Sequence, residues 1–450
     1  MIDLLILGGG PAGYVAAERA AHHGLSVLLF EKKALGGVCL NEGCIPTKTL
    51  LYSAKVFDSL RHGDKYGVTG DNLRFDYAKM VARKDKVVRR LVAGVESTMK
   101  LNNVQVVKGE AYILGPCSQG FALRCNDTTY QGQNLLICTG SEAFIPPIEG
   151  LSDSMDFVLT NRELLALKER PDSLVVVGGG VIGMEFASFY NSLGTSVTVI
   201  EMQPEILNGM DAEQRTALRE VYTRKGIQFH LGAQVVRVEG GLVHFVKEGQ
   251  HFSVQGAKIL MSVGRKAVTG GFGLENLNVK LGKNGILVNE RMETSAPGVY
   301  AAGDVTGFSL LAHTASREGE VVANNLIGCE DSMKYDAIPG VVYTNPEAAS
   351  VGLTEQQALE QDKQYKVVKL PMSFSGRFVA ENEGVNGFCK VLVNETDKTL
   401  LGVHLLGNPS SELIFGACLC MEQKMTLEQL QKVVFPHPTV SEILRESAFS

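Results

Sequence analysis

Asp3-Leu4-Leu5-Ile6-Leu7-Gly8-Gly9-Gly10-Pro11-Ala12-Gly13 begins as an apolar run, turns on glycines and enters a helix-forming run that continues to Ala21. A short unbroken apolar run of this kind suits a buried parallel strand. Gly8, Gly10 and Gly13 fit G-x-G-x-x-G, in which the first glycine makes the turn, the second admits a pyrophosphate and the third lets helix and strand pack closely. The helix N-terminus then faces the phosphates. After Gly24, Ser26-Val27-Leu28-Leu29-Phe30-Glu31 reads as a second strand, ending in an acid that can accept hydrogen bonds from both ribose hydroxyls.

The pattern returns at an offset of 170 positions: Leu174 to Val177, then Gly178, Gly180 and Gly183, a helix, Gly194, and Ser196-Val197-Thr198-Val199-Ile200-Glu201. Gly24 and Gly194, Ser26 and Ser196, and Glu31 and Glu201 fall in register. Two chance glycine turns would not reproduce the distance to the acid, so the chain is expected to hold two dinucleotides. Cys39 and Cys44 follow the first motif and not the second. An isolated C-x4-C also suits buried or metal-binding cysteines. Here Gly43 relaxes the backbone and Pro46 restricts the exit from a turn, so the thiols can close a small ring and act as a dithiol/disulfide couple. A tightly held redox nucleotide beside the thiols and an exchangeable one at the second motif is the economical arrangement, which means a flavin and a nicotinamide.

A length of 450 residues predicts about two to four domains. With 45% hydrophobic and 20% charged residues there is apolar material for a full core, and nothing suggests disorder. A net charge of −6 argues against a nucleic-acid binder, which needs a basic face to displace counterions. Nine scattered cysteines do not form the framework of a small secreted domain. The chain enters its apolar run at once, without a charged leader region, a cleavage site or a long apolar span, so a cytoplasmic protein is expected. Residues 76–102 read as a long helix with Lys79, Arg83, Lys84, Lys86, Arg89 and Arg90 on a solvated face. Residues 104–137 alternate like strands, and Pro146, Pro147 and Gly150 mark a boundary. Beyond about 336 the segments 366–370 and 388–393 suggest an antiparallel sheet with helices. Cys418 and Cys420 lie on differing faces of a helix without supporting ligands, so they are expected in a core, and no metal is expected.

The stretch Gly37-Val38-Cys39-Leu40-Asn41-Glu42-Gly43-Cys44-Ile45-Pro46-Thr47-Lys48 resembles the redox motif of the flavoprotein disulfide reductases, the class I pyridine nucleotide-disulfide oxidoreductases. Among them it is most similar to members that oxidise dihydrolipoamide. The resemblance covers the chain nearly end to end. It departs at Val38, where family members usually carry Thr, and after Gly264-Arg265, where Lys266-Ala267-Val268 replaces a Pro-Asn pair. It implies an α/β fold with two Rossmann-like domains, for FAD and NAD, plus a C-terminal α+β dimerisation domain. The FAD domain would comprise 1–145 and 265–335, with the NAD domain at 146–264 and the dimerisation domain at 336–450.

The resemblance also implies roles. Cys39 is the interchange sulfur and Cys44 the sulfur beside the flavin, with Lys48 near the flavin and paired with Glu185 of the second motif's helix. Thr139, Gly140 and Ser141 close the first FAD portion, and Gly264 is the matching exit from the NAD domain. Gly303-Asp304 is by composition a turn, and by resemblance Asp304 holds a ribityl hydroxyl. His437, between Pro436 and Pro438, is the base, and Glu442 orients it. A homodimer is implied, with His437 of one chain serving the thiols of the other. So is a partner, the lipoyl domain of a 2-oxo acid dehydrogenase or glycine-cleavage complex. Two alternatives stay open: a sister reductase of glutathione-like, mercuric or coenzyme A disulfide substrates, which usually draws on the NADPH that Glu201 disfavours, and a flavin-bearing subunit without turnover.

Overall fold

A computed structural model describes residues 2–450. The chain divides into two compact units, one of Met1–Thr49, Val81–Phe144 and Gly264–Lys334, the other of Leu50–Met80, Ile145–Val263 and Tyr335–Ser450.

In the first unit Ile2–Leu7 is the centre of a seven-stranded sheet. Val27–Glu31 and Thr128–Ile137 run parallel on either side of it, Leu5 lying opposite Leu28 and Leu135. Gln105–Lys108 extends one edge in parallel, and Val299–Ala301 joins Thr128–Ile137 in the same sense. Gly120–Cys125 and Tyr112–Cys117 add an antiparallel flap. The central strand is buried on both faces, as its unbroken apolar run requires. Helix Pro11–His22 starts with Gly10 as its N-cap and Pro11 in its first turn, where a missing N–H costs nothing. Helix Ala312–Leu326 packs on it so closely that a Cβ on Gly319 would lie 2.4 Å from the Ala12 carbonyl oxygen.

The expected long helix is Tyr77–Leu101. Lys79, Arg83, Lys86, Arg89 and Arg90 are exposed, as expected, but Lys84 is buried and pairs with Asp85 at 2.7 Å. It stands seven positions after buried Tyr77, two helical turns along the same face, so position and not charge decides where it points.

The second unit holds a five-stranded parallel sheet in the order Gln228–Leu231, Ser196–Glu201, Ser173–Val177, Lys258–Met261, Val158–Leu159. A three-stranded antiparallel sheet, Ala233–Glu239, Leu242–Lys247 and Gln250–Gln255, stands beside it and shares its core through Val238, Val243 and Phe245. The C-terminal part is a five-stranded antiparallel sheet, Gly340–Val342, Ala348–Gly352, Leu400–Leu406, Phe388–Asn394 and Tyr365–Pro371. Helix Ser410–Glu422 packs on this sheet with Cys420 in the core and Cys418 against it, and burial raises both thiol pKa values.

One ion pair within this unit, Lys390 with Asp211, is almost wholly removed from water. Lys390 is 1% exposed and its Nζ lies 3.1 Å from Asp211 Oδ2, also 1% exposed, 2.9 Å from Glu213 Oε1 and 2.6 Å from Glu355 Oε2. Asp211 is also the N-cap of helix Ala212–Arg224, its side chain accepting from Glu213 N. A buried ion held this way adds little net stability, but removing one partner leaves the other charge stranded. Lys390→Met is therefore expected to cost about 3–5 kcal/mol, read as a lower urea midpoint for the unfolding of this unit. An unchanged midpoint would mean that water reaches Asp211 without Lys390.

Candidate active site

The two glycine turns repeat each other atom for atom in what they forbid. A Cβ on Gly8 would meet the Cys138 carbonyl oxygen at 2.2 Å, and one on Gly13 the Gly8 carbonyl oxygen at 1.9 Å. In the second unit a Cβ on Gly178 would meet the Ser262 oxygen at 2.5 Å, and one on Gly183 the Gly178 oxygen at 2.0 Å. The middle glycines differ. A Cβ on Gly10 would find nothing nearer than Gly37 Cα at 3.8 Å, and one on Gly180 nothing within 4 Å. Bare backbone thus stands at the start of Pro11–His22 and of Val181–Ser192, where a helix N-terminus favours an anion. Glu31 and Glu201 grip their own turns identically: Glu31 accepts from Gly9 N at 2.8 Å and Lys33 N at 2.7 Å, Glu201 from Gly179 N at 2.6 Å and Gln203 N at 2.7 Å. These cradles suit two pyrophosphates, and the donor set fits dinucleotides.

The cysteine stretch is not the turn its glycine and proline predict. Cys39 lies in a short helix, Gly37–Glu42, and Cys44 is the first residue of the long helix Cys44–Arg61, with Gly43 as the break between them. Pro46 falls in the first turn of that second helix, the place where a helix tolerates it. Asn41 fastens the short helix, its Nδ2 donating to the carbonyls of Leu35 at 3.1 Å and Gly37 at 2.9 Å. A Cβ on Gly37 would come within 2.7 Å of Gly10 Cα, so the thiol segment leans directly on the phosphate turn.

Both cysteines are thiols here, and their sulfurs are hydrogen-bonded. The Cys44 sulfur, then burial, push the Cys39 thiol well above its ordinary range, while Lys48, one turn beyond Cys44, pulls weakly the other way. Two adjacent sulfurs cannot both ionise readily, so the pair carries one negative charge before it carries two. The helix N-terminus at Cys44 is the better place for it. Tyr14, absent from the sequence reading, stands beside the pair: burial first, then the charges of Cys39, Glu18 and Cys44, raise its phenol pKa.

Asp304 sits just after Val299–Ala301, at the start of the short turn Asp304–Thr306. Its carboxylate accepts from Ser141 Oγ and lies 3.9 Å from Arg265 Nε. Arg265 also donates to Ser141 Oγ at 2.8 Å and to the Ser141 carbonyl at 2.7 Å. Arg265–Ala267 pairs antiparallel with Ser141–Ala143, so this ribbon forms with Lys266-Ala267 where a Pro-Asn pair was expected nearby. Thr139 Oγ1 donates to Val268 O at 2.7 Å, and Gly140 takes a positive φ of 71° between them. Gly264 belongs to the first unit, its carbonyl accepting from Phe144 N at 3.0 Å. Arg265 and the buried Glu318, whose Oε2 accepts from Gly303 N at 2.6 Å, were not singled out from sequence. The signal for Glu318 was an acid among Ala315, Val321 and Val322 on the apolar face of a helix.

In the second unit Glu185 is buried on Val181–Ser192, and its Oε1 accepts from Tyr343 N at 3.1 Å. His437 is 80% exposed with its Nδ1 2.9 Å from Glu442 Oε1. Glu442 opens the last helix, Glu442–Ala448, and its Oε2 accepts from Thr439 N at 2.9 Å. That backbone bond, then His437, hold its pKa below the usual carboxylate range. The carboxylate thus orients the ring, and Nε2 has no partner among the described residues.

The family model described as pyridine nucleotide-disulphide oxidoreductase matches residues 2–319, and that of the corresponding dimerisation domain matches residues 338–448. The dihydrolipoyl dehydrogenase of Thermus scotoductus is 40% identical over 453 residues, covering 99% of this chain and 96% of that protein. The mitochondrial dihydrolipoyl dehydrogenase of Pisum sativum is 38% identical over 459 residues, covering 100% and 91%. Among solved structures, LpdA from Mycobacterium tuberculosis superposes with a TM-score of 0.91 at 27% identity, covering 100% of this chain and 99% of that one. With both family models matched and relatives this similar along its whole length, the chain belongs to the pyridine nucleotide-disulphide oxidoreductase family.

Proposed function

We propose that this chain oxidises dihydrolipoamide to lipoamide and reduces NAD+ to NADH, with FAD bound at the first glycine turn and NAD+ at the second. The observation that supports this most directly is the hydrogen-bonded Cys39/Cys44 pair, leaning on a nucleotide cradle and opening a helix at Cys44. Glu31 and the turn at Gly8, Gly10 and Gly13 hold FAD, joined by Lys48, Thr139, Gly140, Ser141 and Asp304. Gly178, Gly180, Gly183, Glu185, Glu201 and Gly264 serve NAD+. When bound, the two cofactors supply the two-electron transfer that reoxidises the dithiol.

The chain's own part is thiol chemistry. His437 Nε2 removes a proton from a substrate thiol, and Glu442 stabilises the imidazolium that results. The substrate thiolate attacks Cys39 of the oxidised pair, forming a mixed disulfide and releasing Cys44 as a thiolate. The remaining substrate thiol then attacks the substrate sulfur bound to Cys39 and closes the lipoamide ring; its proton goes to Cys39 as that sulfur leaves, and the imidazolium keeps the first proton as the counter-charge of the Cys44 thiolate. Substrate loses two electrons and the cysteine pair gains them.

A homodimer is part of the proposal. Its support is the matched dimerisation domain and a set of exposed apolar side chains in the second unit, among them Phe374, Phe415 and Val434, the last 92% exposed. The lipoyl carrier of a 2-oxo acid dehydrogenase or glycine-cleavage complex is the proposed partner. A cytoplasmic location is part of the proposal, since nine scattered cysteines are unlike the disulfide framework of a small secreted domain; no helix among the described residues is long and apolar enough to cross a membrane.

The decisive assay is NADH formation from dihydrolipoamide and NAD+, expected for the wild type and lost in Cys39→Ser and in Cys44→Ser. Cys39→Ser should show a long-wavelength thiolate-to-flavin absorbance while its flavin is oxidised, and Cys44→Ser should lose the band that the wild type develops on two-electron reduction. Interchanged spectra would reverse the two roles, and normal turnover in both variants would remove the pair from the reaction.

Cofactor choice rests on Glu201, which meets a 2'-phosphate as like charge. NAD+ is expected to exceed NADP+ in kcat/KM by at least about tenfold, or ~1.4 kcal/mol. Equal values would end the assignment of that carboxylate to the ribose.

The subunit origin of the base can be tested by complementation. Cys44→Ser and His437→Gln chains, each inactive, are co-expressed with different tags and the mixed dimer is purified. If His437 serves its partner's thiols, one of the two sites in the mixed dimer is intact and activity returns. A verified mixed dimer no more active than its parents rejects a base supplied across the interface.

A further inference from the structure

We propose that Glu318 is a positioning residue that sets the aim of Asp304, and so the affinity of the first site for FAD. This rests on the reading above that Asp304 holds the bound flavin nucleotide.

Glu318 is 0% exposed, although a carboxylate taken out of water costs several kcal/mol unless it is hydrogen-bonded. Its Oε2 accepts from Gly303 N at 2.6 Å. Gly303 has φ 79° and ψ −159° and caps the short turn Asp304–Thr306. Its carbonyl accepts from Thr306 N and from Thr306 Oγ1, each at 3.0 Å. Asp304 is therefore the first residue after a glycine that is gripped on its N–H by Glu318 and on its C=O by Thr306. From the other side its carboxylate is met by Ser141 Oγ and, at 3.9 Å, by Arg265 Nε.

Glu318 cannot readily drift from this position. The next residue is Gly319, whose close approach to the Ala12 carbonyl locks helix Ala312–Leu326 onto helix Pro11–His22, the helix that opens at the phosphate cradle. After burial, the Glu318 charge is the next largest influence raising the Cys138 thiol pKa, so the carboxylate lies near Cys138, the residue whose carbonyl forbids a Cβ on Gly8. One buried acid thus ties the Asp304 turn to the frame of the Gly8 turn. A neutral acceptor would satisfy Gly303 N, but with a hydrogen bond roughly half as strong.

The test is a double-mutant cycle on the full-length flavoprotein, with the FAD Kd read from the flavin fluorescence released on serial dilution. Asp304→Asn is expected to raise Kd by about tenfold or more. Glu318→Gln, which keeps the volume and an acceptor, is expected to raise it by about threefold to tenfold in the wild-type background and by less than about twofold in the Asp304→Asn background. Equal factors in the two backgrounds would show that Glu318 supports the fold at large and not Asp304, and no effect in the wild-type background would also overturn the proposal. An Asp304→Asn variant that holds FAD as tightly as the wild type would instead sink the underlying assignment of Asp304, whatever Glu318 does.

Discussion

The absence of a side chain at Gly13 governs the geometry of the first unit. With a Cβ 1.9 Å from the Gly8 carbonyl oxygen, helix Pro11–His22 would have to move away from strand Ile2–Leu7. The helix start would move with it, and so would the bare backbone at Gly10. Gly37 packs against Gly10, so the short helix that carries Cys39 would lose its seat, and Gly319 would lose its contact with Ala12. Phosphate cradle, thiol segment and the helix bearing Glu318 therefore share one close-packed junction, in which each contact is possible because a methyl group is missing. The same constraint recurs at Gly178 and Gly183, but among the described residues no thiol segment leans on that turn.

Charge is handled in two ways. In the first, carboxylates spend their hydrogen-bonding capacity on backbone: Glu31 on Gly9 and Lys33, Glu318 on Gly303, and Glu201 on Gly179 and Gln203. Each fixes a turn and leaves the site's anion-binding face to helix N-termini and bare glycine. In the second, Lys390 neutralises Asp211 in a nearly dry environment and shares Glu213 and Glu355 with the rim. The His437/Glu442 pair is the exception, since its ring stands exposed. An exposed imidazole held by a carboxylate is poorly placed to stabilise the fold and well placed to exchange protons.

The dithiol gains from both kinds of control. Helix geometry puts Cys44 at the positive end of an 18-residue helix, while the Cys39 proton is held by the proximity of the second sulfur. An unsymmetrical pair of this kind lets one sulfur face substrate while the other carries charge. Tyr14 lies close enough to feel both, through a phenol that burial keeps protonated.

Strand, glycine turn, helix and terminal acid were readable from sequence twice over, because each depends on local rules: alternation or runs for strands, missing side chains for turns, and a fixed distance to the acid. Cys39 and Cys44 were readable as a pair for the same reason, their spacing along the chain. Sequence misjudged the local form between them, since Gly43 and Pro46 suit a turn as well as a helix break followed by a first helical turn, and only packing against Gly10 selects the latter. Lys84 was assigned to solvent by its charge and is buried by its place on the face of Tyr77. The partners of Asp304 and Gly303 lie 163 and 15 positions away, at Ser141 and Glu318, and those of Lys390 up to 179 positions away. No local rule links such residues. They meet because sheet pairing, and the helices and turns packed on the sheets, bring distant segments together, and a buried polar atom must find its partner wherever that packing brings one within reach.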